Sequence, residues 1–192
     1  MGYREYAKDY EIEYVKKPGK KRPKAVRIYV GPYFRFDLAA ERLKKLRLLF
    51  LLNHTALAMF LLFPMLIDCP YTRTWYIQVF SAAAWIPWVF GATSVFALLR
   101  AGKRFDREHK DQIYQRMGGA SLFLMIFCGA SLVGSVVAIF RLTPVAEDFA
   151  VAFCSVITTG LSVLLFVFRR AVKFAEVENP EKPMAKKKKN EQ

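Results

Sequence analysis

Four runs of the 192-residue chain, 48–67, 75–99, 118–140 and 149–168, contain no Asp, Glu, Lys or Arg. Each is about 20 residues or longer, and at a rise of ~1.5 Å per residue such a helix crosses a hydrocarbon core of roughly 30 Å. In lipid every backbone N–H and C=O needs a partner within the protein, which leaves only helices or closed barrels. Uninterrupted apolar runs, without the alternation of barrel strands, select helices. The connections 68–74 and 141–148 are so short that their flanking helices must be antiparallel neighbours. The expected fold is therefore an all-α integral membrane protein of four transmembrane helices, built as two antiparallel hairpins.

Charge then orients the chain. It is 54% hydrophobic yet carries a net charge of +14, so the two properties must be segregated. Residues 1–47 hold 14 Lys and Arg, the loop 100–117 holds 6 and the segment 169–192 holds 8, whereas the short connections hold Arg73 and Arg141 alone. Positive residues accumulate on the cytoplasmic side of spanning helices, so both termini and the 100–117 loop are expected in the cytoplasm of a multi-pass cell-membrane protein. Tyr71, Trp75 and Tyr76 fit an interfacial aromatic belt on the opposite side. No signal-peptide pattern precedes the first run, and Tyr6 stands where a myristoylation motif has Ser or Thr, so the helices are the expected anchors.

Ahead of the first run, residues 1–36 read as a basic cytoplasmic segment with a possible β-hairpin. "YEIEYV" (10–15) and "AVRIYV" (25–30) alternate polar with apolar residues around "KKPGKKRPK", whose Pro-Gly is a turn signal. Residues 37–47 read as a juxtamembrane amphipathic helix with Asp37 as its N-cap. In the 100–117 loop, Asp106 with Lys110 and Arg107 with Asp111 fall at the i,i+4 spacing of surface ion pairs on a helix restarting near Phe105. Residues 169–192 are expected to be a basic disordered tail.

Within the runs, two features stand out. Small residues at helical steps, Ala130, Gly134 and Ala138 in the third and Ala152 and Gly160 in the fourth, suit close packing of those two helices or a seam between copies. Pro87 should kink the second helix and free a carbonyl near Ala83. In addition, Asn53, His54 and Thr55 of the first run share a depth with Thr93 and Ser94 of the second and Ser162 of the fourth. Together they form a potential polar layer, either a site or ordinary hydrogen-bonded glue between helices.

The absences narrow function. No ionisable Asp, Glu, Lys or Arg lies in any run, which argues against a proton-coupled carrier built on a membrane carboxylate. One His without neighbouring acids or paired cysteines is too little for a metal site, so no metal or other cofactor is expected. No nucleophile constellation appears. The leading expectation is a non-catalytic accessory or interaction subunit, engaging a membrane-protein partner or a second copy on the cytoplasmic side or within the membrane. Anionic lipid headgroups would face its basic segments, and no nucleic acid is expected. The alternative is an oligomeric small-solute channel or transporter using the layer around His54.

Overall fold

The computed structural model describes residues 6–15, 24–141 and 143–177. In chain order they form β1 (Tyr10–Val15), β2 (Lys24–Tyr29), β3 (Tyr33–Phe36), α1 (Ala40–Leu62), α2 (Trp75–Ala83), α3 (Trp85–Arg100), α4 (Arg107–Asp111), α5 (Met117–Arg141), α6 (Ala146–Ala171) and β4 (Phe174–Val177). Four helical stretches are long and apolar enough to cross a membrane: Ala40–Leu66, Trp75–Arg100, Arg107–Arg141 and Ala146–Ala171. The chain divides into two units, one of helices and one built around the strands.

The helical unit comprises residues 38–100 and 112–173. Its first helix starts at Ala40, with Ala39 as an N-cap lacking a side-chain bond, so Asp37 is not the cap the sequence suggests. The extended backbone of β3 runs to Phe36, and the chain turns only after Asp37. Pro87 does interrupt its helix. Having no N–H for the carbonyl of Ala83, it separates α2 from α3 at Ala84, while Ala84 bonds back to Phe80 and Trp88 bonds back to Ala84.

The small residues serve more than one helix contact. A Cβ on Gly134 would stand 3.0 Å from Tyr76 and 3.3 Å from Ile77, so this glycine admits α2, not α6. Ala138 lies in a buried cluster with Cys69, Tyr71, Ile77 and Val151, and Ala152 packs against it half-buried. Ala130 is half-buried, whereas Gly160 is exposed with nothing within 4 Å of an added Cβ. The contact between α5 and α6 includes the apolar cluster around Ala138 and a hydroxyl pair, Ser135 and Ser155 at 3.5 Å. Ser131 meanwhile reaches Ser81 of α2 at 3.0 Å. The aromatic belt also loses a member: Tyr71 is fully buried, Tyr76 half-buried and only Trp75 exposed.

The second unit draws its described residues from three separated parts of the chain: 6–37, 101–111 and 174–177. β1 and β2 pair antiparallel from Tyr10↔Tyr29 to Val15↔Lys24, which is the expected ribbon. The basic stretch between them, 16–23, lies outside the described residues. β3 pairs antiparallel with β4, from Tyr33↔Val177 to Phe36↔Phe174. Part of the 169–192 segment expected to be disordered is thus the end of α6 and a strand; "KFAEV" places Phe174 against Phe36 with ring centroids 5.6 Å apart. Residues 178–192 lie outside the described set.

Phe34 and Phe105 exchange both backbone hydrogen bonds, at 2.8 and 3.0 Å, adding the middle segment to this sheet. Phe36, Phe105 and Phe174 form its aromatic core, with ring centroids 4.9–5.9 Å apart, in the range for favourable edge or tilted packing. The Tyr29 hydroxyl donates to the carbonyl of Pro32 at 2.8 Å and accepts the N–H of Arg107 at 3.0 Å. Burial pushes this phenol up to about 12, the Arg107 N–H opposing the shift, so it remains a donor at neutral pH. The ion pair expected between Asp106 and Lys110 gives way to other partners. Asp106 caps α4 through the N–H of His109 at 2.9 Å and accepts the Tyr10 hydroxyl at 3.4 Å, while the Lys110 ammonium sits 4.1 Å over the Phe34 ring. Asp111, instead of lying on a solvated face, is buried and accepts the Tyr6 hydroxyl at 3.0 Å.

Phe105→Ala removes the shared ring and leaves a cavity between two strands. It should destabilise this unit by about 3–5 kcal/mol. Hydrogen exchange is the check: protection should fall at both β3 and β4, although the substitution lies in neither.

Candidate functional site

Consecutive helical residues are about 100° apart, so α1 can turn two neighbours inward but not three. The pair that faces in is Asn53 and His54, both buried; Thr55 is exposed. The Asn53 amide donates to the carbonyl of Leu161 on α6 at 3.1 Å. The His54 ring stacks on Trp88 of α3, centroids 4.9 Å apart and planes 11° from parallel. Trp88 Nε1 in turn donates to the His54 carbonyl at 3.2 Å. Gly91, one turn further along α3, makes room for this ring: an added Cβ would lie 3.0 Å from His54 Cε1.

Of the other members of the layer, Ser94 and Ser162 are buried and Thr93 is exposed. Their hydroxyls bond to their own helices: Thr93 and Ser94 to the Phe90 carbonyl at 2.8 and 3.3 Å, and Ser162 to that of Thr159 at 2.7 Å. Four of the six residues thus face the interior, and their hydroxyls are already satisfied. His54 differs. It is 5% exposed, and among the described residues its ring nitrogens make no close hydrogen bond, although they interact with the Trp88 backbone.

A second polar region runs along α5 and α6. Ser81, Cys128, Ser131, Cys154, Ser155 and Thr158 line a void of about 10 Å³ beside the Ala84 break, room for roughly one water. Ser135 and Ser155 donate to carbonyls four residues back, and Thr158 to the carbonyl of Ser155. Cys69, Cys128 and Cys154 are free thiols, and among the described residues no three His, Cys, Asp or Glu side chains group as metal ligands. These hydroxyls are thus satisfied largely within their own helices.

One buried ionisable group escaped the sequence reading. Asp148 stands one residue before the fourth uncharged run, where it resembles a loop charge, yet it is fully buried. Its Oδ1 accepts the Tyr71 N–H at 3.0 Å and its Oδ2 the Val145 N–H at 2.9 Å. The available signal was its N3 position at the start of α6, from which an acid reaches back to the N-cap amide. The contact with Tyr71 ties the connection between the first two candidate spans to the start of the last.

That connection is itself rigidly bonded. Thr72 and Cys69 exchange two bonds, and Thr74 Oγ1 donates to the Pro70 carbonyl. Arg73 Nε and Nη2 donate to the two oxygens of Asp68 at 2.9 and 2.8 Å, holding that carboxyl below its ordinary range. The pair stands at the rim of a cleft of about 540 Å³, whose floor includes Ile77, Ser81 and Val151. The chain matches no protein-family model, curated protein or solved structure, so its function is argued from geometry.

Asp148→Ala leaves two buried N–H groups without their charged acceptor. Unfolding of the purified protein should show a loss of about 2–4 kcal/mol. Asp148→Asn, which keeps one acceptor oxygen, should lose less.

Proposed function

We propose that the chain is a multi-pass protein of the cell membrane, with both termini and the 100–117 loop in the cytoplasm, acting as a non-catalytic accessory subunit. The observation that carries this reading is the build of the strand unit from three chain segments separated by pairs of candidate spans. Segments that hydrogen-bond to one another share one aqueous compartment, which supports a common face for all three. The location of 28 of 30 Lys and Arg in the segments 1–47, 100–117 and 169–192 supports the cytoplasm as that face.

The same unit offers a contact surface. Ile12 and Tyr14 lie two residues apart on β1, hence on one face, and are 59% and 69% exposed. An exposed aromatic and aliphatic pair on an open ribbon edge suits a protein partner, whether another membrane protein or a second copy. The basic residues beside the helices suit anionic lipid headgroups, which attract each Lys or Arg near the surface by ~1 kcal/mol. Ile12→Asp combined with Tyr14→Asp should abolish capture of the partner from native membranes at unchanged expression and helical content. Unchanged capture would end the accessory reading of this face.

A second reading, an oligomeric small-solute channel or transporter, draws on His54, which is buried and makes no close hydrogen bond through its ring nitrogens among the described residues. In a bilayer a polar side chain inside the bundle commonly marks a pathway. Under this reading His54→Ala removes the flux while the protein still accumulates in the membrane. A flux assay on vesicles containing wild type and variant decides it, since equal rates exclude the layer as the route.

A further inference from the structure

The cleft beside the Asp68–Arg73 pair combines two chemistries that seldom meet on a simple surface. Its interior is mostly apolar, with Ile77 and Val151 nearly inaccessible at the floor and Met65, Leu66 and Ala82 along the sides, interrupted by Gln78 and Ser81. Its rim carries one positive and one negative group, both 74% exposed. Arg73 uses Nε and Nη2 on Asp68, so Nη1 of this exposed guanidinium is not part of the pair, and each Asp68 oxygen keeps further acceptor capacity. The backbone beneath them is fixed by the Thr72, Thr74 and Asp148 bonds described above, so little ordering is required on binding.

The geometry points to a binding site for one zwitterionic aminophospholipid, of the phosphoethanolamine headgroup class. The phosphate takes the free edge of the Arg73 guanidinium, whose planar fork suits phosphate oxygens. The ammonium donates N–H bonds to Asp68, and an acyl chain fills the apolar cleft. Charge complementarity selects this occupant. A purely anionic head would set its charge against Asp68, and a choline head has no N–H to donate. The inference rests on the membrane reading above but not on the accessory role.

Native mass spectrometry of the full-length protein in mild detergent, delipidated and then titrated with phosphatidylethanolamine, phosphatidylcholine or inorganic phosphate, tests it. One phosphatidylethanolamine should bind, with phosphatidylcholine weaker by about tenfold for the lost charge-assisted hydrogen bonds, and inorganic phosphate should not compete. Arg73→Ala should weaken phosphatidylethanolamine by about tenfold or more. Ala82→Trp, which fills the cleft without touching the charges, should prevent binding while circular dichroism stays helical. Equal retention by wild type and both variants, or equal affinity for the two lipids, overturns the site. Failure with the protein still extracted only by detergent defeats this inference alone; release of the protein from membranes by carbonate defeats the membrane reading as well.

Discussion

The reciprocal backbone pairing of Phe34 with Phe105, beside the β3–β4 ladder, is the contact on which the organisation of the strand unit depends. Neither β3 nor β4 exceeds four residues, and a two-stranded ribbon of that length is marginal in water. The middle segment supplies what the ladder lacks: a third backbone partner and the Phe105 ring that closes the aromatic core between Phe36 and Phe174. Tyr29 then fastens the neighbouring ribbon to the start of α4 with a single hydroxyl used in both directions. The β1–β2 ribbon follows local patterning, whereas the order of β3 and β4 comes from contacts far apart in sequence.

The helical unit solves a different problem. Its interior is rich in Ser and Thr, which in an apolar setting must bond to something, and most bond to a carbonyl three or four residues back on the same helix. Such hydroxyls need no partner helix, so they provide small side chains for close approach at little polar cost. Bonds between helices include Asn53 to Leu161, Ser81 with Ser131, Ser135 with Ser155, and Trp88 to the His54 carbonyl. Asp148 does for the loop connection what these do within the bundle. Because it is fully enclosed, losing either of its two backbone bonds would leave a buried polar group without a partner.

How much of this the sequence carried follows from the range of the interactions. Helices set by twenty uncharged residues, the break before Pro87 and the alternating ribbon 10–15 with 25–30 were legible, since hydropathy, a missing N–H and period-two patterning act locally. The strand at Phe174–Val177 was not, because four residues after a helix look like a charged tail until Phe36 and Phe105 stand beside them. Depth along a helix was legible in the His54 layer but azimuth was not, so Thr55 and Thr93 fell on the outer face while Asn53, His54, Ser94 and Ser162 faced in. Gly134 was recognisable as a close-approach residue, yet its neighbour, Tyr76, required the packed structure. Asp148 was overlooked because an acid at the edge of an apolar run reads as solvated.

His54 is set apart from the hydroxyls around it by the balance of its interactions. Withholding hydrogen bonds from a buried polar group costs about 1–3 kcal/mol, and the ring has two such nitrogens. Stacking on Trp88 returns about 0.5–1.5 kcal/mol beyond the area it buries. A leucine at this place would incur no polar penalty, and an Asn or Ser would find a carbonyl, as Asn53 and Ser94 do. Packing against Gly91 holds the imidazole close despite that deficit. Ordinary helix glue lowers the energy of the bundle through the bonds it makes. Among the described residues the His54 nitrogens make no close hydrogen bond, and the ring is held instead by its stacking on Trp88 and its packing against Gly91.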